Sequence, residues 1–570
     1  MNNLEQTKTK DYSKQSIILW MIVMLGYLLF VVDWFIIAKV SGKPTAIGSA
    51  TLNPGWSSSF FVASAGQIAA GATNWTITLL RVVGSILSGI LVVKWGHRKA
   101  VIFMIAVMLL SFPILFIGTP LGGSNQLTLV RAYNPTEVAK ASVTLTGDIA
   151  AKNPTAGTLL GPVADLNNGY LLLADGTQAK AVIGLDGKVI GTSTSIAGYA
   201  LFIIFRTFVA VGGTTLIAYS QPIIATMKSD RTKSLLNNSN QWGFNGGVIV
   251  TFLPFLAVSF TTFAQTYWLA FVLGTLILIF SNLVVFFFLS RPIAHLWPQA
   301  KKPDDEKLDI KGLLSKKTTW KYISMFGIWL ILVVIPLTGT YWNALKQISP
   351  IGFEKEITSG GLTFNSAFLG LVWVLGLLFG FSCIAAFAKT IYKRKAFLTL
   401  TYSASVFFLI LVVITAATLG TSSVTGMTLI ALFTFIGGGF AWGASGITLV
   451  LPHESKEIDK RYIALIFGFI WGFGYLIYTI FDASNTVIYD LGKNSALPLT
   501  DPHRHYIGAT IGLTLFILVC SSVVFIIKKL PESYYNKDGQ LVELTKTWRW
   551  NDWRFIVANK AKNRHAEILK

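Results

Sequence analysis

Long apolar runs alternate with short polar breaks along the whole chain. A bilayer crossing takes roughly 20 mostly apolar residues. Runs of that kind lie at 17–38, 75–94, 100–118, 197–219, 240–259, 267–290, 320–340, 364–387, 396–416, 426–450, 462–481 and 506–528. The pattern predicts an all-α membrane protein of 12 transmembrane helices in two pseudo-symmetric six-helix halves, with a small β-rich extracellular insertion between helices 3 and 4. The expected segments are a tail at 1–16, helices 1–3 at 17–118, the insertion at 119–196 and helices 4–6 at 197–290. A linker follows at 291–319, then helices 7–12 at 320–528 and a second tail at 529–570.

The insertion and the second tail depart from the rule of short breaks. "GYLLLADGTQAKAVIGLDGKVIG" (169–191) alternates apolar and polar positions between Asp-Gly pairs, the signal of β-hairpins. The C-terminal tail mixes Trp548, Trp550, Trp553, Phe555 and Ile556 with Lys and Arg. That mixture predicts an amphipathic basic helix on the membrane surface, with a partner-binding helix as the other reading.

Composition agrees with a membrane class. Of 570 residues 53% are hydrophobic and 13% charged, against about a quarter charged in soluble domains. The net charge of +21 raises the question of nucleic acid. Its distribution answers for basic loops at an anionic inner leaflet instead. "KWGHRK" (94–99), "KSDRTK" (228–233), 291–321, "KTIYKRK" (389–395) and "KEIDKR" (456–461) all fall on one side of the expected topology. By the positive-inside rule both termini are then cytoplasmic, in a multi-pass plasma-membrane protein. The first 16 residues are polar and no small-residue cleavage site follows the first run, so that run is expected to be a span. Cys383 and Cys520 lie in apolar segments, which predicts neither disulfide nor metal site.

Three ionisable side chains stand out inside the spans so drawn: Asp33, Arg81 and Arg206. A charge in a span costs roughly 2.5–3.5 kcal/mol on insertion scales and is usually functional. Asp33 and Arg81 share a depth near the outer ends of their helices, and Arg206 lies about one turn deeper. Asp33 is expected to pair with Arg206, Arg81 or both in a polar cavity, giving Asp33 and Arg206 as the proton-coupling pair. A purely structural ion pair is the plainer alternative. Arg81 either lines the cavity with Ser85 and Ser88, on one helix face, or snorkels to the headgroups. Arg81, Arg206, Gln241, Asn245, Trp329 and Asn365 are the candidate solute contacts. Tyr341, Trp342, Asn343, Trp471 and Tyr475 divide between solute platform and interface anchor. The cluster His503, Arg504, His505 reads as a solvated loop rather than a metal site.

The halves echo each other. "HRKAV" (97–101) matches "KRKAF" (393–397), and Pro222 precedes Trp242 by 20 residues where Pro452 precedes Trp471 by 19. With "GILVVKWGHRK" (89–99), the Arg206–Pro222 span with Gly212 and Gly213, and "WGFNGG" (242–247), the chain resembles the major facilitator superfamily over all its spans. The resemblance excludes the insertion and the second tail. It implies solute binding near the midplane between two halves that rock. It also marks Gly89, Gly96, Arg98 and Lys99 as a conformational motif, in which Val93 replaces the family's Asp.

No phosphate-binding loop, cofactor motif, catalytic carboxylate pair or nucleophile triad is apparent, so no enzyme and no cofactor is expected. The expected function is proton symport of a small polar, anionic solute: a sugar phosphate, phosphate or carboxylate. A neutral sugar transporter or facilitator is the alternative, and a surface receptor or adhesin on a transporter scaffold is the alternative of another class. Expected partners are the solute, protons and membrane lipids, without nucleic acid, around a monomer.

Overall fold

The computed structural model describes residues 12–39, 66–117, 128–133, 163–167, 170–173, 178–183, 189–193, 196–227, 230–256, 263, 267–299, 310–338, 340–349, 355–356, 363–364, 366–380, 394–421, 423–454, 463–494, 496, 503–530, 533–535 and 541–543. Asn365, Cys383 and the aromatic-basic stretch 548–556 lie outside these residues, as does the side chain of Gln241.

The apolar runs fold as helices, because in lipid each backbone N–H and C=O must be satisfied within its own segment. The first six are α1 (Ser13–Lys39), α2 (Gly66–Trp95), α3 (His97–Leu109), α4 (Ile196–Ala225), α5 (Asp230–Phe252) and α6 (Trp268–Leu289). The second six are α7 (Lys317–Thr338), α8 (Ser366–Phe379), α9 (Arg394–Thr418), α10 (Val424–Gly443), α11 (Ile463–Leu491) and α12 (Tyr506–Lys528). Among the described residues 10 helices are long and apolar enough to cross a membrane, while α5 and α8 hold shorter apolar stretches, Trp242–Leu256 and Ser366–Phe379. This is a multi-pass membrane protein.

Two helices run well past the apolar windows. α2 begins at Gly66 rather than 75, and α11 ends at Leu491 rather than 481. The polar turns added to them are buried: Asn74, Asp482, Asn485 and Thr486 are all nearly inaccessible. A third helix, α3, ends at Leu109 and gives way to a tight turn, Phe112–Leu115, around Pro113, whose ring cannot continue an α-helix.

Within 119–196 the described residues form an antiparallel sheet of β1 (Thr128–Tyr133), β2 (Val163–Asn167), β3 (Tyr170–Leu173), β4 (Gln178–Ile183) and β5 (Val189–Ser193). Its order is β1-β5-β4-β3-β2. β2 and β3 pair antiparallel with Asn167 opposite Tyr170.

The internal repeat is written into the helix ends. The C-terminus of α6 is capped from α1 and α3: Gln15 Nε2 donates to Leu289 O, and Arg98 donates to Phe287 O (2.8 Å) and Ser290 Oγ (2.9 Å). The C-terminus of α12 is capped from the corresponding helices of the second half. Lys321 Nζ donates to Lys529 O (2.9 Å) and Lys395 Nζ to Lys528 O (3.0 Å). Each cation meets the negative end of a helix dipole and its orphan carbonyls. So Arg98, from the conformational motif, ties α3 to its own half.

Small residues bring the helices together, as lipid-embedded packing requires. A Cβ on Gly213 of α4 would lie 2.3 Å from Phe30 Cβ of α1, and one on Gly212 2.3 Å from Met104 O of α3. Gly96 turns the chain from α2 into α3 at φ 78°, a conformation that favours glycine. Gly89 is half-buried on α2 and Lys99 is exposed. The two halves meet along α2 and α11 and along α5 and α8. Under the repeat these two seams map onto each other.

Candidate functional site

The centre of the molecule is built around a buried cation. Arg81 is fully inaccessible on α2, so it does not snorkel. Its Nε donates to Thr214 Oγ1 of α4 (3.1 Å) and its Nη2 to Tyr27 OH of α1 (3.3 Å). The guanidinium carbon lies 5.1 Å from the Phe30 ring centre, 5.0 Å from Trp34 and 3.8 Å from Tyr475 of α11. Phe30 and Trp34 are one turn apart on α1, which is why one helix face supplies both rings. Nη1 of Arg81 has no hydrogen-bond partner.

From Arg81 the aromatic contacts close a ring through both halves. Tyr475 approaches Trp471 (6.3 Å between ring centres), and Trp471 meets Phe326 of α7 (4.8 Å). Phe326 packs on Trp329 (5.4 Å), and Trp329 meets Trp442 of α10 edge-on (6.0 Å). Trp442 touches Phe244 of α5 (5.8 Å), which returns to Trp34 (6.2 Å). Trp329 donates its indole N–H to Ala441 O (3.1 Å), whereas the indole N–H groups of Trp442 and Trp471 are buried without partners. The ring therefore holds three unused donors, counting Arg81 Nη1, and no carboxylate among its members.

The expected ion pair is corrected here. Neither arginine forms a salt bridge with Asp33. Arg206, fully buried on α4, donates Nη1 to Thr73 O and Nη2 to Trp34 O (2.9 Å), stitching α4 to the backbones of α2 and α1. Asp33 adjoins Trp34, and neighbouring helix positions diverge by about 100°. With Trp34 turned to Arg81, the Asp33 carboxyl faces elsewhere. It is 6% exposed, and its Oδ2 has no hydrogen-bond partner. Arg206 remains its electrostatic neighbour.

Other expected contacts separate by role. Ser85 and Ser88 are buried, and Ser88 Oγ donates to Ser85 O (2.6 Å). Asn245 is buried on α5 next to Phe244. Tyr341 and Trp342 are neither platform nor interface anchor. Both are fully buried within the second half, Tyr341 donating to Leu409 O (3.2 Å) and Trp342 to Pro336 O. His503 and His505 use their Nδ1 atoms on Gln347 O (2.9 Å) and Tyr489 O (3.2 Å), and no metal-binding cluster occurs among the described residues.

Sequence reasoning missed a second buried carboxylate. Asp482 of α11 is 2% exposed, and its Oδ2 accepts from Asn74 Nδ2 (2.8 Å) and Trp75 Nε1 (3.0 Å) of α2. Asn74 also donates to Tyr478 OH (3.0 Å) and accepts from Trp34 Nε1 (2.8 Å). Asn74 and Asp482 each lie one residue outside the expected spans. Trp34, Phe244, Phe326 and Trp442 were also missed as ring members.

Helices from two repeated halves packed around a buried polar and aromatic centre are the architecture of a membrane transporter. The Mycoplasma MFS transporter family matches residues 202–490. A Mycoplasma genitalium major facilitator superfamily transporter is 43% identical, over 100% of both chains. A Mycoplasma pneumoniae transporter of the superfamily is also 43% identical, over 97% of this chain and 100% of its own. A D-xylose-proton symporter of solved structure shares the fold, with TM-score 0.51 and 13% identity over 91% of this chain and 98% of its own. The chain belongs to the major facilitator superfamily. It is a transporter, not an enzyme.

Proposed function

We propose that the protein carries a small polar, anionic solute (a sugar phosphate, phosphate or carboxylate) across the plasma membrane by alternating access, with proton symport. The observation that carries this reading is Arg81: fully buried, in no ion pair, and with Nη1 unpartnered. A buried cation without a counter-charge is costly, and an anionic solute would supply one through charge-assisted hydrogen bonds. Arg206 serves as an electrostatic neighbour of Asp33, since carbonyls already occupy its Nη groups. Asp33 is the proton carrier in this reading: an ionised carboxylate with a buried, unpartnered oxygen is costly, and taking a proton relieves that cost.

The loop charges support cytoplasmic termini, twelve spans with α5 and α8 as the fifth and eighth, and an extracellular sheet at 119–196. A second reading, a neutral sugar, draws on the aromatic ring and the unused indole N–H groups of Trp442 and Trp471, which suit a flat hydroxylated face.

The test is thermal stability of the purified protein against sugars, sugar phosphates, inorganic phosphate and carboxylates. A ligand that binds only the folded state raises its stability. An anion is expected to stabilise the wild type and to lose that effect in Arg81→Ala. Stabilisation by a neutral sugar alone would retire the anionic class.

A further inference from the structure

The seam between α2 and α11 is hydrogen-bonded at one end and closely packed along the rest. At the polar end the amide of Asn74 uses both N–H groups on α11, on Asp482 Oδ2 (2.8 Å) and Tyr478 OH (3.0 Å). Trp75 adds a second donor to the same carboxylate oxygen (3.0 Å), and the hydroxyls of Thr78 and Thr479 meet at 2.6 Å. Further along, the Arg81 guanidinium carbon of α2 lies 3.8 Å from the Tyr475 ring centre of α11, and beyond it glycines bring the two backbones close. A Cβ on Gly472 would lie 3.3 Å from Val82 O, and one on Gly468 3.1 Å from Ser85 O.

We infer that Asp482 and Asn74 form the lock that holds this end of the two halves shut, and that Trp34 links the lock to the central site. Parting the seam also lifts Tyr475 from Arg81, and the glycine-lined stretch beyond them offers little side-chain interlock. The polar end cannot part without stripping a buried carboxylate of two donors, so the closed state is favoured while those bonds stand. On opening, water replaces the lost donors, and both states are satisfied. The link to the site is direct. Trp34 Nε1 donates to Asn74 Oδ1 (2.8 Å), and the same indole lies 5.0 Å from the Arg81 guanidinium. A solute that moves Trp34 therefore moves the residue that holds Asp482. Asp482 is a positioning residue: it sets the balance between closed and open seam and touches no solute. The inference rests on the alternating-access reading above but not on the solute class.

The test is a cross-linking rate. In full-length protein with Cys383 and Cys520 replaced by alanine, Thr78→Cys and Thr479→Cys place two thiols where the hydroxyls meet, close enough for a disulfide when the seam is shut. Oxidation in membranes is expected to cross-link this pair readily. Asn74→Asp sets two carboxylates face to face and is expected to slow the rate about tenfold, the equivalent of one lost buried charged hydrogen bond. Asp482→Ala is the second variant and is expected to slow it similarly. Adding Asp482→Asn to Asn74→Asp exchanges the two groups and is expected to restore the rate to within about threefold, the non-additivity of a direct pair. Wild-type rates in either slowed variant, eluting as a monodisperse peak, would overturn the lock, as would a failure of the exchange to restore the rate. Lost solute uptake alongside normal cross-linking would count against the transport reading and leave the lock standing.

Discussion

The guanidinium carbon of Arg81, on the second helix, lies 3.8 Å from the ring centre of Tyr475, on the eleventh. The two residues come from different halves of the molecule, so the buried cation is seated by a contact that exists only while the halves are together. A desolvated cation over an aromatic face is worth about 2 kcal/mol. Arg81 thus serves at once as a solute contact in the proposed mechanism and as part of the closure.

Tyr475→Phe keeps the ring and is expected to leave binding of the stabilising solute within about threefold, whereas Tyr475→Ala should weaken it about thirtyfold, the equivalent of 2 kcal/mol. Titration of the thermal shift with solute measures both. Equal losses in the two variants would point to the hydroxyl rather than the ring.

Asp33→Asn removes the carboxylate proposed to carry the proton and keeps its volume. The variant is expected to lose accumulation against a gradient while retaining counterflow exchange, because exchange needs no net proton movement. Proteoliposomes with and without an imposed proton gradient distinguish the two. Unchanged uphill uptake would remove Asp33 from the coupling.

The two helix-end caps are expected to contribute comparably, since they perform the same task in each half. Arg98→Ala and Lys395→Ala should each lower stability by about 0.5–2 kcal/mol. They sit in different halves and share no partner, so the double variant should be additive to within about 0.5 kcal/mol. Thermal unfolding in detergent reads this out, and a marked excess in the double variant would reveal coupling between the two halves.

Gly213→Val is expected to prevent correct assembly or to cost at least about 1–3 kcal/mol through overpacking, because its new Cβ would start 2.3 Å from that of Phe30. Gly274 of α6 is the control, since a Cβ added there would meet nothing within 4 Å. Gly274→Ala should be neutral or stabilising by up to about 1 kcal/mol. Size-exclusion profiles and melting temperatures separate the two.

Much of the architecture was legible in the sequence because its cause is local. A segment in lipid must satisfy its own backbone, so apolar length alone announces a helix, and the positions of α1, α4, α6, α7, α9 and α12 follow from it. Arg81 and Arg206 announced themselves for the same reason: a charge in such a run is conspicuous. The helix ends were not legible in this way. A hydropathy window stops at polar residues and so excludes Asn74 and Asp482, yet each of these is buried only because the other stands opposite. Neither is explicable until both are placed.

The pairing of Asp33 failed for a related reason. Two opposite charges at similar depth invite an ion pair, but depth along a helix says nothing of azimuth. Trp34 takes the inward face, and the carbonyls of Thr73 and Trp34 occupy the two Nη groups of Arg206, leaving its Nε without a partner.

The sequence by itself determined that this chain lies in a membrane, where most of its helices run, and that its two halves repeat, because hydropathy, loop charge and motif spacing are properties of one segment at a time. Only the tertiary structure decided which groups share the centre: Arg81 with Tyr475, Trp34 with Asn74, and Asn74 with Asp482. Those contacts join residues tens to hundreds of positions apart, and their energies arise from burial and geometry that no single segment contains.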